Sequence, residues 1–148
     1  TTMPVLHHIA LSVRSATASI QFYKRLGFTE AVVWHAPDGT LSIHQLMNSS
    51  GAILELFAYA HNTHQPQAQP AIGNDLETVG VKHIGLSVDN LDEFHAAALS
   101  WSEPTDIVMG RTGLRYCFIK DPDGNWVEIV EDKRNLVPGM AVVDMSSS

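Results

Sequence analysis

Apolar and polar residues alternate over positions 6–13, so that Leu6, His8, Ala10 and Ser12 fall on one face of a predicted strand and His7, Ile9, Leu11 and Val13 on the other. Ser15 then opens a stretch with Ile20, Tyr23 and Leu26 at helical spacing, and Gly27 ends it. Three more strands are predicted over 27–34, 41–47 and 53–59, with Pro37-Asp38-Gly39 as a tight turn after the first. The same order returns downstream. It comprises a strand over 81–88, a helix capped by Asp89 or Asn90 and running to Trp101, weaker strands over 106–109 and 114–119, a turn at Asp121-Pro122-Asp123-Gly124, and a last strand over 126–131. Residues 61–80, rich in Gln, Pro and Asn, read as a linker, and the serine-ended stretch 133–148 as a loosely held tail. The expected organisation is a βαβββ module over 5–60, the linker over 61–80, a second βαβββ module over 81–132 and the tail over 133–148. That order of strands and helices implies an α+β fold.

The two halves also repeat in sequence. His8-Ile9-Ala10-Leu11-Ser12-Val13 recurs as His83-Ile84-Gly85-Leu86-Ser87-Val88, and in each copy a turn glycine, Gly51 or Gly124, precedes a glutamate four residues on, Glu55 or Glu128. Packing of the greasier strand face against its helix leaves His8 on the opposite, concave side beside small residues, and the same parity puts His83 with Gly85 and Ser87. Glu55 shares its face with Ile53, Phe57 and Tyr59, and Glu128 shares its face with Trp126 and Val130. An ionised carboxylate among such neighbours costs on the order of several kcal/mol if uncompensated, and a cation removes that cost. A lone strand histidine or a lone strand glutamate is ordinarily structural or solvated. Four ligand-type residues at matching places with agreeing parity point instead to one divalent metal held by His8, Glu55, His83 and Glu128. Two imidazoles and two carboxylates suit Zn²⁺, Ni²⁺, Mn²⁺ or Fe²⁺.

Composition narrows the partners. The 148 residues carry 16 Asp and Glu against 9 Lys and Arg, a formal charge of −7, so a nucleic-acid backbone would be repelled and no basic run compensates. No apolar run is long enough for a membrane span, and the single cysteine, Cys117, has no internal disulfide partner. The expectation is a soluble cytoplasmic protein with a small-molecule substrate.

With these residues in view, the sequence resembles the vicinal-oxygen-chelate superfamily, which includes glyoxalase I, bleomycin-binding proteins and extradiol dioxygenases. The marks are the two hexapeptides at 8–13 and 83–88, Ile20-Gln21-Phe22-Tyr23 followed by Leu26-Gly27-Phe28, and Asp121-Pro122-Asp123-Gly124 ahead of Glu128. The resemblance spans about residues 5 to 132. It implies an α+β fold in which the two βαβββ modules form a curved mixed sheet, as half-barrels around a metal site, with ligands from the first and fourth strands of each module, which fall on His8, Glu55, His83 and Glu128. In ligand pattern the chain is most similar to bacterial glyoxalase I, with Ni²⁺ or Zn²⁺ the favoured ions and Mn²⁺ or Fe²⁺ as alternatives. That enzyme's first-strand arginine, which grips the glutathione carboxylate, is replaced here by Ser12, so glutathione is in doubt as cosubstrate. Arg14, Arg111 and Arg115 are candidates for another anion grip.

The resemblance implies a lyase or isomerase acting on a small substrate that chelates the ion through vicinal oxygens. Glu128 is the first choice of general base and Glu55 the second. The rivals are an Fe²⁺-dependent ring-cleaving dioxygenase and a non-enzymatic binding protein whose Trp34, Phe57, Tyr59, Trp126 and Tyr116 line a pocket for a flat ligand. A homodimer is expected. His44 shares a strand face with Ser42 and is read as a hydrogen-bonded structural residue. His7 is placed on the helix-packed face, and His61, His64 and His95 on the linker or a helix surface, all as bystanders. Cys117 is expected in the core and Trp101 in helix packing.

Overall fold

Each module pairs its first strand with its last. The computed structural model describes residues 2–62 and 76–146, and the chain divides into two units, Thr1–Ala68 and Gln69–Ser148. In the first unit the order is β1 (His8–Ser12), α1 (Ala16–Lys24), β2 (Thr29–His35), β3 (Leu41–Met47) and β4 (Ile53–Tyr59). In the second it is β5 (Ile84–Ser87), α2 (Leu91–Ala98), β6 (Val108–Met109), β7 (Arg115–Lys120) and β8 (Trp126–Glu131). Both sheets are mixed and four-stranded, ordered β1-β4-β3-β2 and β5-β8-β7-β6. The first strand runs parallel to the last, and the others are antiparallel. This is the α+β fold of two βαβββ modules.

The helices begin where side chains can satisfy their first free N–H groups. Ser15 Oγ accepts from Ala18 N at 3.1 Å, and Asn90 Oδ1 from Glu93 N at 3.0 Å. Each helix then covers one sheet face. In the first unit Tyr23 and Phe28 are buried with Leu46, Leu54 and Leu56, and in the second Leu91 and Ala98 are buried with Cys117, Ile119, Val127 and Ile129. In-register pairs such as Leu46↔Leu54 and Cys117↔Ile129 keep these residues on one side, as the alternation in sequence demands.

The last two strands of each module meet at turns built alike. Asn48 Oδ1 accepts from Ser50 N at 3.1 Å and Ala52 N at 3.0 Å, and Asp121 Oδ1 accepts from Asp123 N at 2.9 Å and Asn125 N at 2.8 Å. Gly51 and Gly124 take φ of 87° and 85°, a left-handed conformation that side-chain-bearing residues seldom adopt. These turns set the register that fixes where each glutamate lies.

Several expected boundaries are corrected. The strand expected over 81–88 begins only at Ile84, whose partner is Val127 near the start of β8, so Val81 has no strand to pair with and is fully exposed. The second helix ends at Ala98 rather than Trp101, where Ser100 N and Trp101 N turn to carbonyls three residues back, Ala97 and Ala98, at 3.4 and 3.1 Å. The strand expected over 106–109 shrinks to two residues. Just upstream, Thr105 pairs with Phe118 through its side chain as well as its backbone, Thr105 Oγ1 accepting from Phe118 N at 2.8 Å. The linker expected over 61–80 lies largely outside the described residues, His64 with it. Residues 135–146 form no helix or strand.

Candidate metal centre

In each module the register brings one histidine to one glutamate. In the first, Ala10 pairs with Glu55, so His8, two residues earlier on the same face, reaches the carboxylate, with His8 Nε2 3.6 Å from Glu55 Oε1. In the second, Gly85 pairs with Glu128, and His83 Nε2 lies 2.8 Å from Glu128 Oε2. The glutamate side chains are 17% and 19% exposed, largely withdrawn from solvent on the sheet face turned away from the helix. Opposite each carboxylate stands a residue with almost no side chain, Ala10 or Gly85, which leaves that face open above the glutamate.

The donor set fits a divalent ion. Ligand bonds of about 2.0–2.2 Å put two donors on one ion about 3 Å apart at right angles and about 3.5 Å apart at a tetrahedral angle. The observed separations of 2.8 and 3.6 Å bracket those values. Nitrogen and carboxylate oxygen together suit Zn²⁺, Ni²⁺, Mn²⁺ and Fe²⁺. Each unit supplies two such groups, and among the described residues no three His, Cys, Asp or Glu side chains converge.

The surroundings of the two pairs differ. Gln45, across the ladder from Glu55, donates from Nε2 to Glu55 Oε2 at 2.8 Å. At the equivalent place opposite Glu128 stands Phe118, whose ring meets His83 edge-on with centroids 5.1 Å apart. Phe118 also meets Tyr116 at 5.6 Å and Trp126 at 5.9 Å, and Lys120 Nζ lies 4.4 Å from the Trp126 ring centroid. Neither Gln45 nor Phe118 figured among the expected site residues. Both were accessible from hairpin arithmetic, because a turn that pairs Met47 with Ile53 necessarily sets Gln45 against Glu55.

Of the other histidines, His7 departs from expectation, while His44 is the hydrogen-bonded structural residue expected. His7 is not packed beneath a helix. It is exposed, with Nδ1 2.9 Å from His8 Nδ1, so one of the two nitrogens donates to the other. His44 is buried on the helix-packed face, between Glu30 Oε2 at 3.0 Å and Ser42 Oγ at 2.9 Å. A bulge between Glu30 and Val32 accompanies the reach of Glu30 toward it. His95 meets the Thr105 carbonyl at 3.0 Å and His61 is exposed.

The anion-grip candidate Arg115 is already engaged. It donates to Asp92 at 3.0 and 3.1 Å, and this holds the Asp92 carboxyl below its ordinary range. Cys117 is buried, and that burial pushes its thiol up to about 11. Phe94 and Trp101 meet edge-on. A cleft beside the tail is lined by Arg111, Thr112, Arg134, Leu136, Met140 and Met145, and by none of the four ligand candidates.

Comparison with known proteins assigns the class. The model of the Glyoxalase/Bleomycin resistance protein/Dioxygenase superfamily matches residues 5–129, and the chain belongs to that superfamily. It is 28% identical over 141 residues to a lactoylglutathione lyase of Schizosaccharomyces pombe, an alignment covering 86% of this chain. The chain spans 45% of that relative's length. A glyoxalase family protein from Enterococcus faecalis superposes with a TM-score of 0.71 at 23% identity, covering 88% of this chain and all of that one. The trypanothione-dependent glyoxalase I of Leishmania major gives 0.68 at 22% identity over 88% of each chain. At these identities the two structures support the shared fold. Among the described residues no helix is long and apolar enough to cross a membrane.

Proposed function

We propose that this chain is a divalent-metal-dependent lyase or isomerase of the glyoxalase type, acting on a small substrate with two neighbouring oxygens. The observation that carries the reading is the recurrence, in both modules, of a His and Glu pair at ligand-like separation beside a minimal side chain. His8, Glu55, His83 and Glu128 are the ligands of one site, completed by the two modules of one chain or by modules from two chains of a homodimer. Ni²⁺ or Zn²⁺ is the favoured ion. When bound, the ion supplies Lewis-acid stabilisation of negative charge on the substrate oxygens.

The chain's own residues do the rest. His8 and His83 stand beside the carboxylates as the nitrogen donors of the site. Glu128, facing Phe118 with no amide donor opposite, is the general base that takes and returns the substrate proton, and Glu55 is the second candidate. Ala10 and Gly85 leave space for the substrate above the two carboxylates. Ser12 offers no charge to a glutathione carboxylate, which favours substrates other than glutathione adducts.

The linked rings of Tyr116, Phe118 and Trp126 on the Glu128 face support a second reading, a protein that binds a flat ligand without turning it over. One experiment separates them: elemental analysis of the purified and the chelator-treated chain, then assays with hemithioacetals, 2-oxo acids and catechols. Turnover lost on stripping and restored by Ni²⁺ or Zn²⁺ is the expected result. Oxygen uptake with catechols in the Fe²⁺ form would replace the reading with ring cleavage. Failure of every divalent ion to bind, with a flat aromatic ligand still captured, would replace it with sequestration.

A further inference from the structure

The two carboxylates of the proposed site are held by different means. Glu55 Oε2 accepts the Gln45 amide at 2.8 Å, which leaves Oε1 turned toward His8. Glu128 has at the equivalent position the ring of Phe118, which carries no hydrogen-bond donor. We infer that Gln45 is a positioning residue: it locks the Glu55 carboxylate so that one oxygen is presented to the ion, making Glu55 the fixed acidic ligand of an otherwise symmetric pair. This rests on the metal-site reading above.

The residue type matters. A carboxylate that gives one oxygen to an ion still rotates about its last torsion unless the other oxygen is held. An arginine or lysine at position 45 would hold it, but would also neutralise charge that the ion needs and would repel the ion. A neutral amide orients the carboxylate and leaves its charge in place. Gln45 stands on an interior strand of its sheet, between β2 and β4, so its own backbone is fixed on both sides. Glu128 has no amide at that place, and its near polar partner is the histidine itself, His83 Nε2 at 2.8 Å from Oε2.

The test measures Zn²⁺ affinity of the full chain by competition with a chromogenic chelator, in Gln45→Leu, Glu55→Ala and the double variant. Gln45→Leu is expected to weaken binding about 10- to 100-fold, the usual effect of losing a partner that orients a ligand. In the Glu55→Ala background the same change is expected to cost less than about twofold, since its effect passes through Glu55. The visible spectrum of the Co²⁺-loaded protein should shift in Gln45→Leu while its circular dichroism does not. Gln45→Met serves as the second variant should Leu fold poorly.

Unchanged affinity in both variants, or an equal loss with and without Glu55, overturns the inference and leaves the metal site standing. Unchanged affinity in Glu55→Ala itself overturns the metal site, and the inference with it.

Discussion

Alanine substitutions along β4 test the parity on which the site depends. Leu54 and Leu56 are buried against the helix, 2% and 0% exposed, whereas Ile53 and Glu55 face the other way and are half-buried. Truncating a fully buried leucine removes its transfer free energy and leaves a hole that neighbours fill only partly, a loss of about 3 kcal/mol. His44 and Leu11 flank Leu56 in the ladder and are anchored in their own strands, which limits collapse into the space. Leu54→Ala and Leu56→Ala should therefore each cost about 3 kcal/mol, and Ile53→Ala and Glu55→Ala about 1 kcal/mol or less. With a urea slope of about 2 kcal/mol per molar, the first pair should shift the unfolding midpoint down by about 1.5 M and the second by at most about 0.5 M. Equilibrium urea unfolding followed by tryptophan fluorescence reads this directly. Equal shifts at all four positions, or the opposite phase, would put Glu55 inside the helix-packed core and dissolve the face it shares with His8.

Two further outcomes follow from groups outside the site. The Glu131 carboxyl is held below its ordinary value of 4.5 by a hydrogen bond from Lys133 and then by the Leu91 N–H at the start of α2, so the stability it contributes is present above pH 4.5 and lost as pH falls through the depressed value. Glu131→Gln should flatten the acid limb of a stability against pH curve and leave its alkaline limb alone; an unchanged acid limb would count against the pairing. Cys117, buried with its thiol pushed up to about 11, should resist alkylation by iodoacetamide at pH 8 in the native protein and react fully in urea. Rapid native labelling at one equivalent would contradict its burial.

The fold was legible because two signals agreed. The hexapeptides beginning at His8 and His83 announced a duplication, and strand alternation assigned the faces of β4 correctly, as the buried Leu54 and Leu56 and the outward Glu55 show. The same alternation brought each histidine to its glutamate. What escaped was set by pairing rather than by local pattern. Val81 alternates as well as any strand residue, but a strand ends where its partner ends, and the ladder with β8 begins only at Ile84 and Val127. Gln45 and Phe118 escaped because neither is a ligand type and the repeat does not preserve them. Their importance comes from standing opposite the glutamates, a matter of register. His44 shares the face of Ser42, as read, yet that face is the helix-packed one, and a buried histidine there is satisfied by Glu30 and Ser42.

The parallel pairing of β1 with β4, and of β5 with β8, bears on how the protein is made. The antiparallel hairpins β2-β3 and β3-β4 join residues close in sequence and can zip as soon as they leave the ribosome, whereas the first strand must wait until the last has emerged. The strand that begins at His8 in one module, and the one that directly follows His83 in the other, are therefore the last to dock, and that pairing completes each sheet. Pulsed hydrogen exchange during refolding should find Ile9 and Leu86 protected later than Leu46 and Ile119.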